Sequence, residues 1–106
     1  MSAFKIIEVG HLDNMRDLEG FRLIDVRTDE EVMTGIIEGA EHIVLNHLPQ
    51  HAATIDTQAP TVFYCRSGNR SGQACAFFAA RGFQNVYNLQ GGVLAWTAAG
   101  LPLVKQ

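Results

Sequence analysis

The 106-residue chain carries eight Lys and Arg against eleven Asp and Glu, a net charge of −3, with 47% hydrophobic and 18% charged residues. This is ordinary soluble composition, which excludes a disordered or collagen-like chain, and the length fits one compact domain over 1–106. Residues 1–10 lack the apolar core and cleavage site of a signal peptide, and no stretch is long enough to span a bilayer, so a cytoplasmic location is expected.

In chain order, Lys5 to Val9 reads as a first short strand, and Leu12, Met15 and Leu18 then space an apolar helical stripe. Arg22 to Val26 predicts a second strand. Thr28 followed by Glu31 forms a capping-box pattern, with Asp29 and Glu30 also favourable near a helix N-terminus, and Gly35 stops that short helix. His42 to Leu45 predicts a third strand, and a short helix follows Asn46. There His47 and His51 stand four apart, which is ligand spacing without the Glu of an H-E-x-x-H signature; a surface pair, with no metal, is the favoured reading.

Thr61 to Tyr64 predicts a fourth strand, and the longest helix begins near Arg70, runs through Ala74, Phe77 and Phe78, and ends at Gly82 as a C′ glycine. Val86 to Leu89 predicts a fifth strand. Gly91 and Gly92 read as a turn, after which Trp96 with Leu94, Leu101 and Leu103 packs the C-terminal segment onto the body. Short apolar strands alternating with helices indicate an α/β domain, and continuous apolar runs suit a parallel sheet covered on both faces.

The chemistry concentrates in Tyr64-Cys65-Arg66-Ser67-Gly68-Asn69-Arg70-Ser71, where an apolar strand stops at a cysteine and a polar loop opens the longest helix. In open α/β sheets ligands bind at the carboxyl ends of strands, and a strand-to-helix turn directs several backbone N–H groups into one concavity that attracts anions. All eleven acids lie within residues 1–56, whereas Arg66, Arg70, Arg81 and Lys105 stand without an acid in 57–106. So few cations do not make a nucleic-acid footprint, but uncompensated arginines around one loop suit a small anion.

A thiol at Cys65 is therefore expected to ionise readily and act as a nucleophile. Gly68 lets the backbone approach a ligand closely, Ser67, Asn69 and Ser71 can donate hydrogen bonds, and Arg66 and Arg70 can hold a sulfonate-like group. Cys75, among alanines and phenylalanines of the long helix, reads as a core thiol and not as a resolving partner for Cys65. The spacing of the two cysteines matches neither a zinc site nor a C-x-x-C pair, and no structural disulfide is expected.

Leu23 to Arg27 (LIDVR), Cys65 to Ser71 (CRSGNRS), Gly82 to Gly92 (GFQNVYNLQGG) and Ala95 to Pro102 (AWTAAGLP) resemble the successive motifs of rhodanese homology domains, in order and over nearly the whole chain. The resemblance implies an open five-stranded parallel sheet with helices on both faces. It also implies a persulfide-carrying cysteine at Cys65 and a loop, Arg66 to Ser71, whose amides bind the transferred sulfur. No metal or organic cofactor is implied; the implied partners are a thiosulfate-like donor and a thiol or cyanide-like acceptor, or a protein that accepts the persulfide sulfur.

Signatures of the protein-tyrosine-phosphatase type place the loop arginine after five intervening residues, whereas four separate Cys65 from Arg70. Sulfur transfer is thus favoured over phosphatase or arsenate-reductase chemistry of the same fold, with a persulfide-carrier or sensing module as the other alternative. The chain departs from the family between Gly35 and Ala40, where Ile36 and Glu38 replace the usual His and Pro. Altered local packing is expected there, not lost chemistry. Asp25 and Arg27 are expected to be structural: a partly buried Asp25 needs a partner, and Arg27 either supplies it or instead reaches a substrate at the strand end.

Overall fold

The computed structural model describes residues 4–106. Five strands form one parallel sheet in the order β1-β5-β4-β2-β3, comprising β1 (Lys5–Ile7), β2 (Arg22–Asp25), β3 (Glu41–His42), β4 (Thr61–Tyr64) and β5 (Val86–Leu89). The α-helices are α1 (Asp29–Val32), α2 (Leu48–His51), α3 (Asn69–Ala79) and α4 (Gly92–Ala98). A 3₁₀ segment, Val9–Met15, precedes β2, and two shorter ones, Leu45–His47 and Ala52–Thr54, flank α2.

The central strands are apolar because both sheet faces are covered. Along β4, Val62 and Tyr64 point into one core with Leu12, Leu23, Leu89 and Trp96; Phe63 points into the other with Ile24, Leu48, Phe78 and Val86. Alternation between two buried faces erases the polar-apolar period of a half-exposed strand. Phe78 ties the second core together, stacked on Phe63 at 5.1 Å between ring centroids and edge-on to Phe83 at 4.8 Å. Burial of each such ring stabilises the fold by about 1.5–3 kcal/mol.

The helix ends follow their local signals. Thr28 accepts from the Glu31 backbone N–H at 3.3 Å while the Glu31 carboxylate accepts from the Thr28 N–H at 3.0 Å, a complete capping box for α1. Beyond α3, Gly82 takes φ +89°. There Phe83 N–H donates to the Phe78 carbonyl at 3.2 Å and Gly82 N–H to that of Ala79 at 3.1 Å, the paired bonds of a glycine-terminated Schellman motif.

Three expectations are corrected. The third strand is Glu41–His42, because the chain turns at Ile43 to Leu45 into a 3₁₀ turn instead of staying extended to Leu45. The first helical stripe winds as a 3₁₀ segment that buries Leu12 and Met15 and ends before Leu18, which is exposed. Gly91 is the N-cap of α4, which begins at Gly92; Trp96 packs inward with Leu101 and Leu103 as expected, but Leu94 faces out. Among the described residues, no helix is long and apolar enough to cross a membrane.

Candidate active site

Cys65 follows the last residue of β4, at the carboxyl edge of the sheet, and the Arg66 to Gly68 turn leads directly into α3. Gly68, at φ +106°, supplies the left-handed turn that begins the helix. Its N–H donates to Cys65 Sγ at 3.1 Å, and the Ser71 hydroxyl, on the first turn of α3, approaches the same sulfur at 3.4 Å. The sulfur thus sits at the centre of the turn, in a residue only 1% exposed.

The loop is held open from outside by α4. Val93 N–H donates to the Cys65 carbonyl and Leu94 N–H to that of Arg66, both at 3.0 Å. Since a trans peptide points its carbonyl and N–H in opposite directions, turning these carbonyls toward α4 turns the following amides toward the loop interior. This approach is possible because position 92 is glycine, at φ +55°: a Cβ there would lie 2.3 Å from the Cys65 carbonyl oxygen. The double glycine is more than a turn, since it brings a helix against the Cys65 loop.

The electrostatics favour an ionised sulfur. Burial works against the Cys65 thiolate, but hydrogen bonds from the Ser71 hydroxyl and from the amides of Ser71, Gly68 and Ser67 outweigh it, so the thiol titrates below its ordinary value. Cys75 has no such donors. Buried in α3, it is pushed up to about 12 by desolvation, with the Cys65 charge adding to the effect. Both cysteines are free.

The two loop arginines differ. Arg66 is exposed at the rim with Ser67 and Asn69. Arg70 is half-buried and grips Glu31 with both terminal nitrogens, at 2.6 and 2.8 Å. The hydrogen bonds from Arg70, helped by those from Thr28, overcome burial and hold the Glu31 carboxyl at about 2. Because the folded value lies below the ordinary one near 4.3, the stabilisation is complete above pH ~4.3 and is lost as pH falls toward 2. Urea unfolding at pH 6 and pH 3 should therefore show Glu31→Gln losing less stability on acidification than the wild type, by about 1 kcal/mol for this partly exposed pair; an equal loss would contradict the assignment.

Asp25 and Arg27, the pair expected from the β2 motif, are buried against each other. Arg27 donates to Asp25 Oδ2 at 2.7 Å through Nη2 and at 3.0 Å through Nε, and a further Nη2 bond reaches the Gly35 carbonyl at 2.7 Å. Desolvation opposes the Arg27 charge, and the hydrogen bonds and field of Asp25 more than compensate, leaving its pKa raised. The guanidinium also lies 5.9 Å from the Tyr64 ring.

Around the departure from the family pattern, Ile36 is buried in an antiparallel bridge to Val104, and Ile37 N–H donates to the Tyr64 hydroxyl at 2.9 Å. The segment is anchored without the usual His and Pro. One further side chain, Asn88 of β5, touches both Gly68 and Ser71 and had no signal in the sequence beyond being a polar residue inside an apolar strand. His47 is exposed, as is a separate cavity of about 400 Å³ lined by Asp13, Arg16, Glu38 and Trp96, which shares no residue with the Cys65 loop.

The sequence model of the rhodanese-like domain family matches residues 8–99. The chain is 40% identical over 90 residues to a sulfurtransferase of Allochromatium vinosum, covering 85% of this chain and 84% of that protein. It is 34% identical over 98 residues to a thiosulfate sulfurtransferase of Pseudomonas putida, covering 92% and 89% respectively. The crystal structure of a rhodanese-like domain protein from Staphylococcus aureus is similar with a TM-score of 0.81 at 28% identity, over 95% of this chain and 99% of that one. Matched in sequence over most of its length and in the path of its parallel sheet, the chain belongs to the rhodanese-like domain family.

Proposed function

We propose that the protein is a sulfurtransferase that takes sulfane sulfur from thiosulfate or a related donor, carries it on Cys65 as a persulfide, and passes it to a thiophilic acceptor. The observation that carries this reading is the convergence of donors on one buried sulfur: Gly68 N–H, the Ser71 hydroxyl and the neighbouring loop amides all favour its anion. The sulfurtransferase relatives from A. vinosum and P. putida support it.

In the first half-reaction the Cys65 thiolate attacks the outer sulfur of thiosulfate. A bond forms between Sγ and that sulfur, the sulfur–sulfur bond of the donor breaks, and sulfite leaves with the bonding pair. The amides of Ser67, Gly68 and Ser71 stabilise the anionic persulfide left behind, as an oxyanion hole stabilises a developing oxygen charge. Cyanide or a thiolate then attacks the terminal sulfur, and the electron pair of the cleaved bond returns to Cys65. Arg66 at the rim holds the sulfonate of the donor, with Asn69 as an additional donor beside it, and Arg70, whose terminal nitrogens are paired with Glu31, assists donor binding through its positive charge near Cys65. A reducing compartment such as the cytoplasm suits a chain whose nucleophile must stay a free thiol.

Incubation with thiosulfate and cyanide should release thiocyanate and sulfite in equal amounts, with no phosphate released from an aryl phosphate and no arsenate reduced. Phosphate release or arsenate reduction without thiocyanate would overturn the reading. Arg70→Ala should raise the thiosulfate KM roughly tenfold with kcat little changed, as expected for a group that binds the donor anion in the ground and transition states alike. An unchanged KM would remove Arg70 from donor binding.

A further inference from the structure

Helix α1 begins at the same sheet edge as the Cys65 loop. Strands β2 and β4 run side by side and parallel, with Asp25 opposite Tyr64, so the segments that leave them, α1 and the Cys65 turn, emerge next to each other. Glu31 on the first turn of α1 thereby meets Arg70 on the first turn of α3. The contact is bidentate, Nη1 to Oε1 at 2.6 Å and Nη2 to Oε2 at 2.8 Å, between side chains only 27% and 33% exposed.

A guanidinium held in this way attracts anions weakly, because the carboxylate cancels most of its charge at a distance and occupies both terminal nitrogens. Arg70 is within electrostatic reach of the sulfur, since the Cys65 charge adds to that of Glu31 in raising its pKa. At the same sheet edge Arg27 is matched by the buried Asp25 carboxylate at 2.7 Å. Arg66, exposed at the rim, has no carboxylate within salt-bridge distance among the described residues. The charges facing a donor thus sum to one cation beside the loop amides. That suits a singly charged donor; a dianion must also bring its second charge toward the Glu31 carboxylate.

We propose that Glu31 sets the charge selectivity of the Cys65 site: by pairing with Arg70 it disfavours dianions such as thiosulfate relative to singly charged sulfane donors, organic thiosulfonates and persulfides. This deepens the reading of Cys65 as the sulfur-carrying nucleophile and rests on it. Glu31 need touch neither donor nor sulfur; it acts through Arg70 and through its own charge, a repulsive element that separates one substrate class from another. The bonds that change are the same for each class. Sγ bonds to the outer sulfur, the sulfur–sulfur bond of the donor breaks, and sulfite, sulfinate or a thiolate leaves with the bonding pair.

The test compares wild type, Glu31→Gln and Glu30→Gln in two pairs of reactions whose members differ by one negative charge. The first pair is alkylation of Cys65 by iodoacetate and by iodoacetamide, with the modified residue located by peptide mass. The same thiolate attacks both reagents, so their rate ratio at one pH is independent of the fraction ionised. The second pair is kcat/KM for sulfur transfer to cyanide from thiosulfate and from benzenethiosulfonate. Glutamine at position 31 can still complete the capping box with Thr28 while lacking the charge. Glu30, the exposed neighbour on the same helix, controls for surface charge in general.

Glu31→Gln should raise the iodoacetate-to-iodoacetamide ratio and the thiosulfate-to-benzenethiosulfonate ratio by a similar factor, about fivefold at low ionic strength. Glu30→Gln should move either ratio less than about twofold, as a screened surface charge does. A merely structural role for Glu31 would slow both members of a pair together. Ratios in folded Glu31→Gln within about twofold of wild type, or an equal rise in Glu30→Gln, would overturn the proposal. The alkylation pair needs no sulfur donor. Absence of thiocyanate from the wild type with either donor would therefore refute the sulfurtransferase reading, and the donor preference with it, while the alkylation ratio still reports the field of Glu31 at Cys65.

Discussion

Cys65→Ser is expected to lower sulfur transfer at least about a thousandfold while the protein stays folded. Serine keeps the shape of the side chain, but its hydroxyl does not ionise in the accessible pH range, and a hydroxyl oxygen cannot form the persulfide that links the two half-reactions. The donors that meet the sulfur, Gly68 N–H and Ser71 Oγ, can meet a hydroxyl oxygen instead, so the buried polar atom keeps partners. Steady-state thiocyanate formation gives the activity, and thermal unfolding followed by circular dichroism gives the fold. Turnover within tenfold of wild type would mean that another group carries the sulfur.

Asp25→Ala is expected to be among the most destabilising single substitutions in the chain, at about 3–5 kcal/mol, because it leaves the buried Arg27 guanidinium without its counter-charge. Side-chain exposures of 4% for Arg27 and 0% for Asp25 give water no route to replace the lost carboxylate. For a domain of this size each kcal/mol lowers Tm by about 4–8 °C, so the change is easily read. Removing both charges, in Asp25→Val with Arg27→Leu, should recover most of the loss, since a buried pair repays little beyond its own desolvation. A loss below about 1 kcal/mol in Asp25→Ala would show that water or a moved side chain compensates Arg27.

What could be read from the residues alone was what is encoded locally. The capping box at Thr28 and Glu31, the Gly82 terminus of α3 and the apolar runs of β4 and β5 depend on neighbours within a few positions, and each appears where expected. The Cys65 loop was legible for the same reason, since strand, cysteine, glycine and helix are contiguous. Helix α4 was not legible, because Gly91 and Gly92 read locally as a turn, and only the packed structure reveals that the missing Cβ of Gly92 admits the Cys65 and Arg66 carbonyls.

The pairing of Glu31 with Arg70 joins residues 39 apart, and that of Asn88 with Gly68 and Ser71 joins residues 20 and 17 apart. Local periodicity carries no information on such partners. The consequence for the site is specific: Arg70, which the sequence presents as an uncompensated cation, has a carboxylate partner in the fold, and Arg66 faces solvent.

The central claim is tested most directly by the intact mass of the reduced protein after incubation with thiosulfate, measured beside Cys65→Ser. The account predicts a gain of one sulfur atom in the wild type alone, reversed by dithiothreitol or cyanide. No gain with thiosulfate or with glutathione persulfide, or an equal gain in Cys65→Ser, would contradict it.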